Sequence, residues 1–270
     1  MEAEMFRSFV DYLNLCAAYL RININAQLEY RGAFYSQVAA MFINDGAWVV
    51  FWLFFFTRFP VLHGWSLKDV MSLWAMTTAG FGIAYGLMGN AHRKLAPAIA
   101  QGELDLWLLH PRAVLPHWLL GSTVPSAWGD AAFGFVVYLG FVMPDAIHAV
   151  TFVVLSFVVA VVFVGLGIAT GSLSFYIGNA STISDQWRDS SITFATYPPT
   201  LFEGKVKLLL YTAIPAGFIS YLPVQTLRSM SIVDLLIAIA GALIVLTFGV
   251  GMFYFGLRRY ESGNLLSMNG

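Results

Sequence analysis

From 147 to 177 the chain carries no Asp, Glu, Lys or Arg, and the windows 33–57, 69–89, 118–143 and 232–257 are nearly as apolar. A run of about 20 apolar residues is what an α-helix needs to cross about 30 Å of hydrocarbon. The runs are continuously apolar, whereas strands of a transmembrane barrel alternate lipid-facing and lumen-facing residues. Composition agrees: 59% of the 270 residues are hydrophobic and 11% are charged, against about 25% charged in a soluble domain. The sequence therefore predicts an all-α polytopic membrane protein with one transmembrane domain over 1–270.

One more crossing must fall between 180 and 227, and two placements stay open. Lys207–Val224 is the more apolar stretch, yet Pro215 and Pro223 interrupt it. Proline removes a backbone donor, and lipid offers no replacement partner. The other placement, 186–203, opens with Arg188 and Asp189 and ends around Tyr197-Pro198-Pro199. Ahead of the first span, 5–31 is amphipathic. Phe6, Phe9, Val10, Leu13, Ala17, Leu20, Ile24 and Leu28 recur at three and four, while Arg7, Asp11, Asn14, Arg21, Asn25 and Glu29 take other faces. That pattern predicts a helix lying in the membrane interface, with an ordinary packed helix as the alternative. Asp11, Asn14 and Arg21 also interrupt any signal-like apolar core, so no cleavable leader is expected.

Charge orients the chain. With 207–224 as the fifth crossing, Arg7, Arg21, Arg31, Arg93, Lys94, Arg112, Arg188, Lys205, Lys207, Arg258 and Arg259 share one side, against Arg58, Lys68 and Arg228. With 186–203 instead, Lys205 and Lys207 change sides and the excess persists. Either way, the positive-inside rule puts both termini in the cytoplasm. The segment 90–117 is then cytoplasmic. It reads Arg93-Lys94, Gly102-Glu103-Leu104-Asp105 and Leu108-Leu109-His110-Pro111-Arg112, far more polar chain than a simple turn needs. It predicts a surface built to touch something outside the bilayer.

Several chemistries are not supported. Gly204-Lys205 is the only Gly-Lys pair, and Pro199 stands where the first glycine of a phosphate-binding loop belongs. The single Cys16 excludes an intrachain disulfide. His63, His92, His110, His117 and His148 form no i,i+4 pair, so no metal site is expected. No G-x-S-x-G turn frames a nucleophile, which leaves an intramembrane enzyme resting only on scattered Ser and His residues. Gly82-x-x-x-Gly86 and Gly167-x-x-x-Gly171 are spacings that let helices approach closely.

Two carboxylates fall inside apolar spans: Asp45, beside Asn44, and Asp130. An intramembrane carboxylate costs about 2.5–3.5 kcal/mol on insertion scales and so faces a protein interior or a wet path. Asn44, Asp45 and Asp130 either line a translocation path or subunit interface, or are structural acids satisfied near helix ends. An ion-coupled secondary transporter using Asp45 is one function compatible with the first reading.

The order of parts resembles the ABC-2 family of transporter permeases. An amphipathic helix leads through Gln27-Leu28-Glu29-Tyr30-Arg31 into the first span, and Gly102-Glu103-Leu104-Asp105 precedes Leu108-Leu109 and Pro111. Tyr197-Pro198, Ile214-Pro215 and Tyr221-Leu222-Pro223 follow, and the chain closes with Gly256-Leu257-Arg258-Arg259-Tyr260-Glu261-Ser262-Gly263. The resemblance implies the membrane subunit of an ABC exporter with six spans in a bacterial plasma membrane. A second permease, identical or related, and a separate cytosolic ATPase would complete it. ATP and Mg would sit on the ATPase, with no cofactor on this chain and no nucleic-acid partner. The resemblance further implies a coupling helix around Ile99–Pro111, where Glu103 and Asp105 present charge and Leu104, Leu108 and Leu109 an apolar face beside Pro111. It also favours 186–203 as the fifth crossing, with Lys205–Leu227 as an outer re-entrant hairpin before the last span.

Overall fold

The computed structural model describes residues 2–91, 93–111 and 113–260, with side chains from Asn14 onward. His92, Arg112 and Glu261-Ser262-Gly263 lie outside the described residues, as do the side chains of Phe6, Arg7, Phe9, Val10, Asp11 and Leu13. Helix α1 (Glu2–Glu29) is separated from α2 (Arg31–Arg58) by a break at Tyr30, and α3 (Leu67–Leu87) follows a turn. Three short helices, α4 (Leu95–Gln101), α5 (Leu104–Leu108) and α6 (Val114–Leu120), precede α7 (Ala127–Val136), which continues as a π-helical turn over Val137–Val142. Next come α8 (Ala146–Ser172), its short continuation α9 (Ser174–Ile177), and α10 (Ser181–Ala195). The described chain ends with α11 (Gly204–Leu209), α12 (Leu222–Ser229) and α13 (Ile232–Leu257). Helices α2, α3, α8 with α9, and α13 are long and apolar enough to cross a membrane, and α7 with its π turn is a shorter apolar helix. Among the described residues no strand occurs, as a backbone that must satisfy its own polar groups in lipid requires of an unclosed chain.

Three helices begin at one end of the bundle, and each beginning is capped. Ser66 and Asp69 form a reciprocal capping box on α3, Asp145 accepts from the His148 N–H on α8, and Ser231 accepts from the Asp234 N–H on α13. Each such cap is worth about 1 kcal/mol. The same end is tied together by Arg228, whose Nε lies 3.1 Å from Asp69 and whose guanidinium stacks 4.5 Å over Trp65.

Helix α3 is the centre of the bundle. Of the residues from Val70 to Gly86, only Phe81 is not buried. The backbones of its neighbours come against it because the contact positions lack side chains. A Cβ on Gly82 would stand 2.2 Å from the Ala131 nitrogen of α7, and one on Gly134 would stand 2.6 Å from the Ala75 carbonyl. Gly86 faces the Trp128 ring, so both glycines of the first small-residue pair lie at α7. Gly167 and Gly171 do the same for the chain between α3 and α4, facing Ala91 and Leu95. Helices α8 and α13 meet at Gly165 and Gly249.

The stretch expected as the third span, 118–143, is not one helix. The chain unwinds between Leu120 and Ala127, where Pro125 lacks a donor, and neighbouring chain takes up its freed groups. Val124 N–H donates to Tyr85 O at 3.0 Å, and Gly89 N–H donates to Ser122 O at 2.8 Å. Nor is 207–224 a single helix. After α11 the chain reverses through Tyr211–Pro215, Gly217 N–H donates back to Leu210 O at 2.7 Å, and the Tyr211 ring packs against Phe218 and Tyr221. Trp187 Nε1 donates to Ala213 O at the tip, while Ser220 and Tyr221 donate to the Ala195 and Phe194 carbonyls at the end of α10.

The close contact at Gly82 carries a clear expectation. Gly82→Val should lower the unfolding transition of the purified protein by about 1–3 kcal/mol or more, the cost of overpacking a close contact. Gly251→Val, at a position with open space around it, should leave the transition unchanged in the same thermal assay.

Candidate functional site

The polar stretch after α3 is built by one glycine and one buried leucine. Gly102 ends α4 in a left-handed conformation (φ 75°), and the Glu103 N–H returns to Ala98 O at 3.0 Å. This glycine cap turns the chain sharply. Leu104 then inserts fully into the core. Its burial orients α5 so that Leu106 (70% exposed), Leu108 (43%) and Leu109 (81%) face outward, with Glu103 and Pro111 exposed beside them. The apolar edge is thus Leu106, Leu108 and Leu109, and Leu104 serves as its anchor. Asp105 and the Tyr260 hydroxyl both lie beside Gly102. Trp107 stacks on His110 and meets Trp118 edge-on.

Helix α1 docks onto this region through polar groups. Tyr19 OH meets His117 Nδ1 at 2.9 Å, Asn23 Nδ2 donates to Leu120 O at 2.9 Å, and Gln27 reaches the Thr123 hydroxyl. These residues recur at i, i+4 and i+8, one face of a helix. Ile22, 66% exposed, and Ile24 lie on other faces.

Asp45 and Asp130 come together. Phe42 on α2 meets Phe133 on α7, Gly129 lies against Val38, and the two carboxyls face each other, each residue 4% exposed. They line a cavity of about 470 Å³ between α2, α3, α7 and α10. Asn44 lies at its rim and donates to Asp45 Oδ1 at 3.4 Å. Trp48 and Trp74 are stacked on its wall at 5.4 Å. Arg188 reaches in from α10, its side chain 7% exposed, and holds Asp185 at 2.6 Å and Asp189 at 2.9 Å. Arg93, held with φ of 64°, bonds the same Asp185 at 3.2 Å. A left-handed arginine is an uncommon conformation that the surroundings must impose.

The family model described as ABC-2 family transporter protein matches residues 42–263. The chain belongs to that family. No curated protein and no solved structure matches it. As an ABC-2 transporter with several membrane-length helices, it is a multi-pass membrane permease of an ABC transporter, a kind of subunit that is typically non-catalytic and works with an ABC ATPase. The match takes in the leucine edge and the acid cavity, and begins after α1.

Sequence reasoning did not assign a role to Arg93, Asp185, Arg188 or Asp189 in this ABC-2 permease. The signal available for them was the polarity of Arg188-Asp189 in an otherwise apolar region, together with the i,i+3 spacing of Asp185 and Arg188. Leu106 was legible only as one more leucine. Among the described residues no cluster of His, Cys, Asp and Glu could hold a metal ion.

The enclosed Tyr260 hydroxyl can be read by titration. Burial first, and then the Asp105 carboxylate, pushes the Tyr260 phenol from 10.0 up to about 12. A folded-state value above the unfolded one means that the neutral, enclosed phenol contributes its stability fully below pH 10 and loses it as the pH climbs towards 12. Subtracting the ultraviolet titration of Tyr260→Phe from that of the native protein should leave one late-ionising phenol. A difference curve centred at pH 10 would show that the phenol is not enclosed.

Proposed function

We propose that this ABC-2 permease is the membrane subunit of an ATP-driven exporter in a bacterial plasma membrane, a single permease domain over 1–270 crossing six times. The crossings would be α2, α3, α7, α8 with α9, α10 and α13, with both termini cytoplasmic. Basic residues support that orientation: Arg21, Arg31, Arg93, Lys94, Arg258 and Arg259 gather at the end bearing α4–α6. Helix α10 has 15 residues, about 22 Å at the usual rise, which is short for a full crossing. A re-entrant hairpin of α11 and α12 beside it would complete the outer half and supply donors to its last carbonyls. Helix α1 would lie in the interface.

The observation that carries this reading is the exposed edge of Leu106, Leu108 and Leu109 beside Glu103, held by the buried Leu104. It would seat in a groove of a separate ATPase, which binds the ATP and Mg this chain has no loop for. A second permease, identical or related, would cover the open side of the cavity lined by Asn44, Asp45 and Asp130. Closure of the ATPase dimer would then shift α4–α6 and, through Arg93, the α10 wall.

Leu109→Asp should weaken association with the ATPase by about ten-fold or more, as loss of an apolar anchor does, and should cut ATP-driven transport while leaving the thermal transition unchanged. Full transport by this variant would remove the coupling assignment. The buried acid pair also favours a second reading, an ion-coupled transporter using Asp45. Transport that survives ATP depletion and stops with an uncoupler would establish it instead.

A further inference from the structure

The ionisable groups around the cavity divide into a balanced set and an unbalanced one. Arg93 and Arg188 are matched by Asp185 and Asp189. Asp45 and Asp130 stand outside that network, and among the described residues no Lys or Arg pairs with them. Asn44 reaches Asp45 Oδ1, and the two carboxyls otherwise face each other, with Asp45 Oδ2 and Asp130 Oδ2 enclosed. Two carboxyls this close cannot both stay ionised without a proton or a cation between them.

Three hydroxyls of the wall face the cavity as acceptors. The Thr77, Thr78 and Thr196 hydroxyls spend their protons on Leu73, Trp74 and Thr193 carbonyls, so they offer only lone pairs to the cavity. Beside them, the stacked Trp48 and Trp74 present aromatic surface. Aromatic faces attract cations, most strongly where water is excluded.

Size and chemistry then select among cations. A proton needs no room, yet the space is about 470 Å³, within the usual range for small-molecule sites. Hard divalent ions need six or more oxygen ligands, which two carboxyls and a few hydroxyls between tryptophans do not supply. We propose that the cavity binds an amphipathic organic monocation, its ammonium against the Asp45–Asp130 carboxyl pair and its apolar body on Trp48 and Trp74. The bound cation is cargo only if the permease reading holds, and the binding itself can be measured separately.

The probe is benzyltrimethylammonium, which is permanently charged, compared with its uncharged isostere neopentylbenzene. Both are titrated into the intact complex in nanodiscs, following tryptophan fluorescence and heat. The cation should bind saturably, with the isostere about thirty-fold weaker or worse, the loss expected when a buried charge pair is removed. Asp45→Asn with Asp130→Asn should weaken the cation by a similar factor and leave the isostere unchanged. Equal affinity for cation and isostere, absence of saturable cation binding, or an unchanged affinity in a folded double variant would each overturn the proposal. The first two comparisons use the native protein, so a misfolded variant does not protect the idea. A complex that contains an ABC ATPase but ignores the cation refutes the site alone. Cation binding by a chain that associates with no ATPase refutes the exporter reading alone.

Discussion

Everything in this bundle depends on how closely α7 and α8 can approach α3. Lipid is as apolar as leucine, so helices in a membrane are not driven together by water, and close van der Waals contact and hydrogen bonds must hold them. Gly82, Gly134 and Gly80 remove the side chains that would keep the three backbones apart. With α3 fixed, both of its ends become reference points. At one end Asp69 caps the helix and also takes Arg228 from α12. At the other, Tyr85 O and Asn90 collect the unwound chain ahead of α7.

That second end is where α3 brings the two candidate sites into one framework. Thr77, Thr78 and Phe81 form part of the cavity wall, and a few residues on the chain enters the segment that displays the leucine edge. Arg93 lies between them, lining the cavity and bonding Asp185 on α10. A displacement of α4–α6 would therefore pull on the cavity wall through an ion pair and not only through apolar packing.

Hydropathy was enough to read α2, α3, α8 and α13, because each is a long run with few charges. Between 186–203 and 207–224 it favoured the latter, the more apolar stretch. The hairpin is as apolar as a span, and only the hydrogen bonds from Trp187, Ser220 and Tyr221 reveal where the chain reverses. Periodicity also tells which residues share a face but not what that face meets. Tyr19, Asn23 and Gln27 are spaced as one stripe, yet nothing local says that the stripe docks on α6 and the loop after it. The inward turn of Leu104 and the outward turn of Leu106 are set by the glycine cap at Gly102, a backbone feature that leucine counting misses. Asp45 and Asp130 were visible as misplaced charge, whereas their meeting is a consequence of how α2 crosses α7.

The central claim is that the edge of Leu106, Leu108 and Leu109 touches the energy-supplying subunit. Photo-crosslinking tests it most directly, with p-benzoylphenylalanine placed at Leu109 on the leucine edge and, separately, at Phe54 near the far end of α2. The account predicts a protein adduct between position 109 and an ABC ATPase, and none from position 54. An ATPase adduct from position 54, with position 109 yielding only lipid or no product, would contradict it.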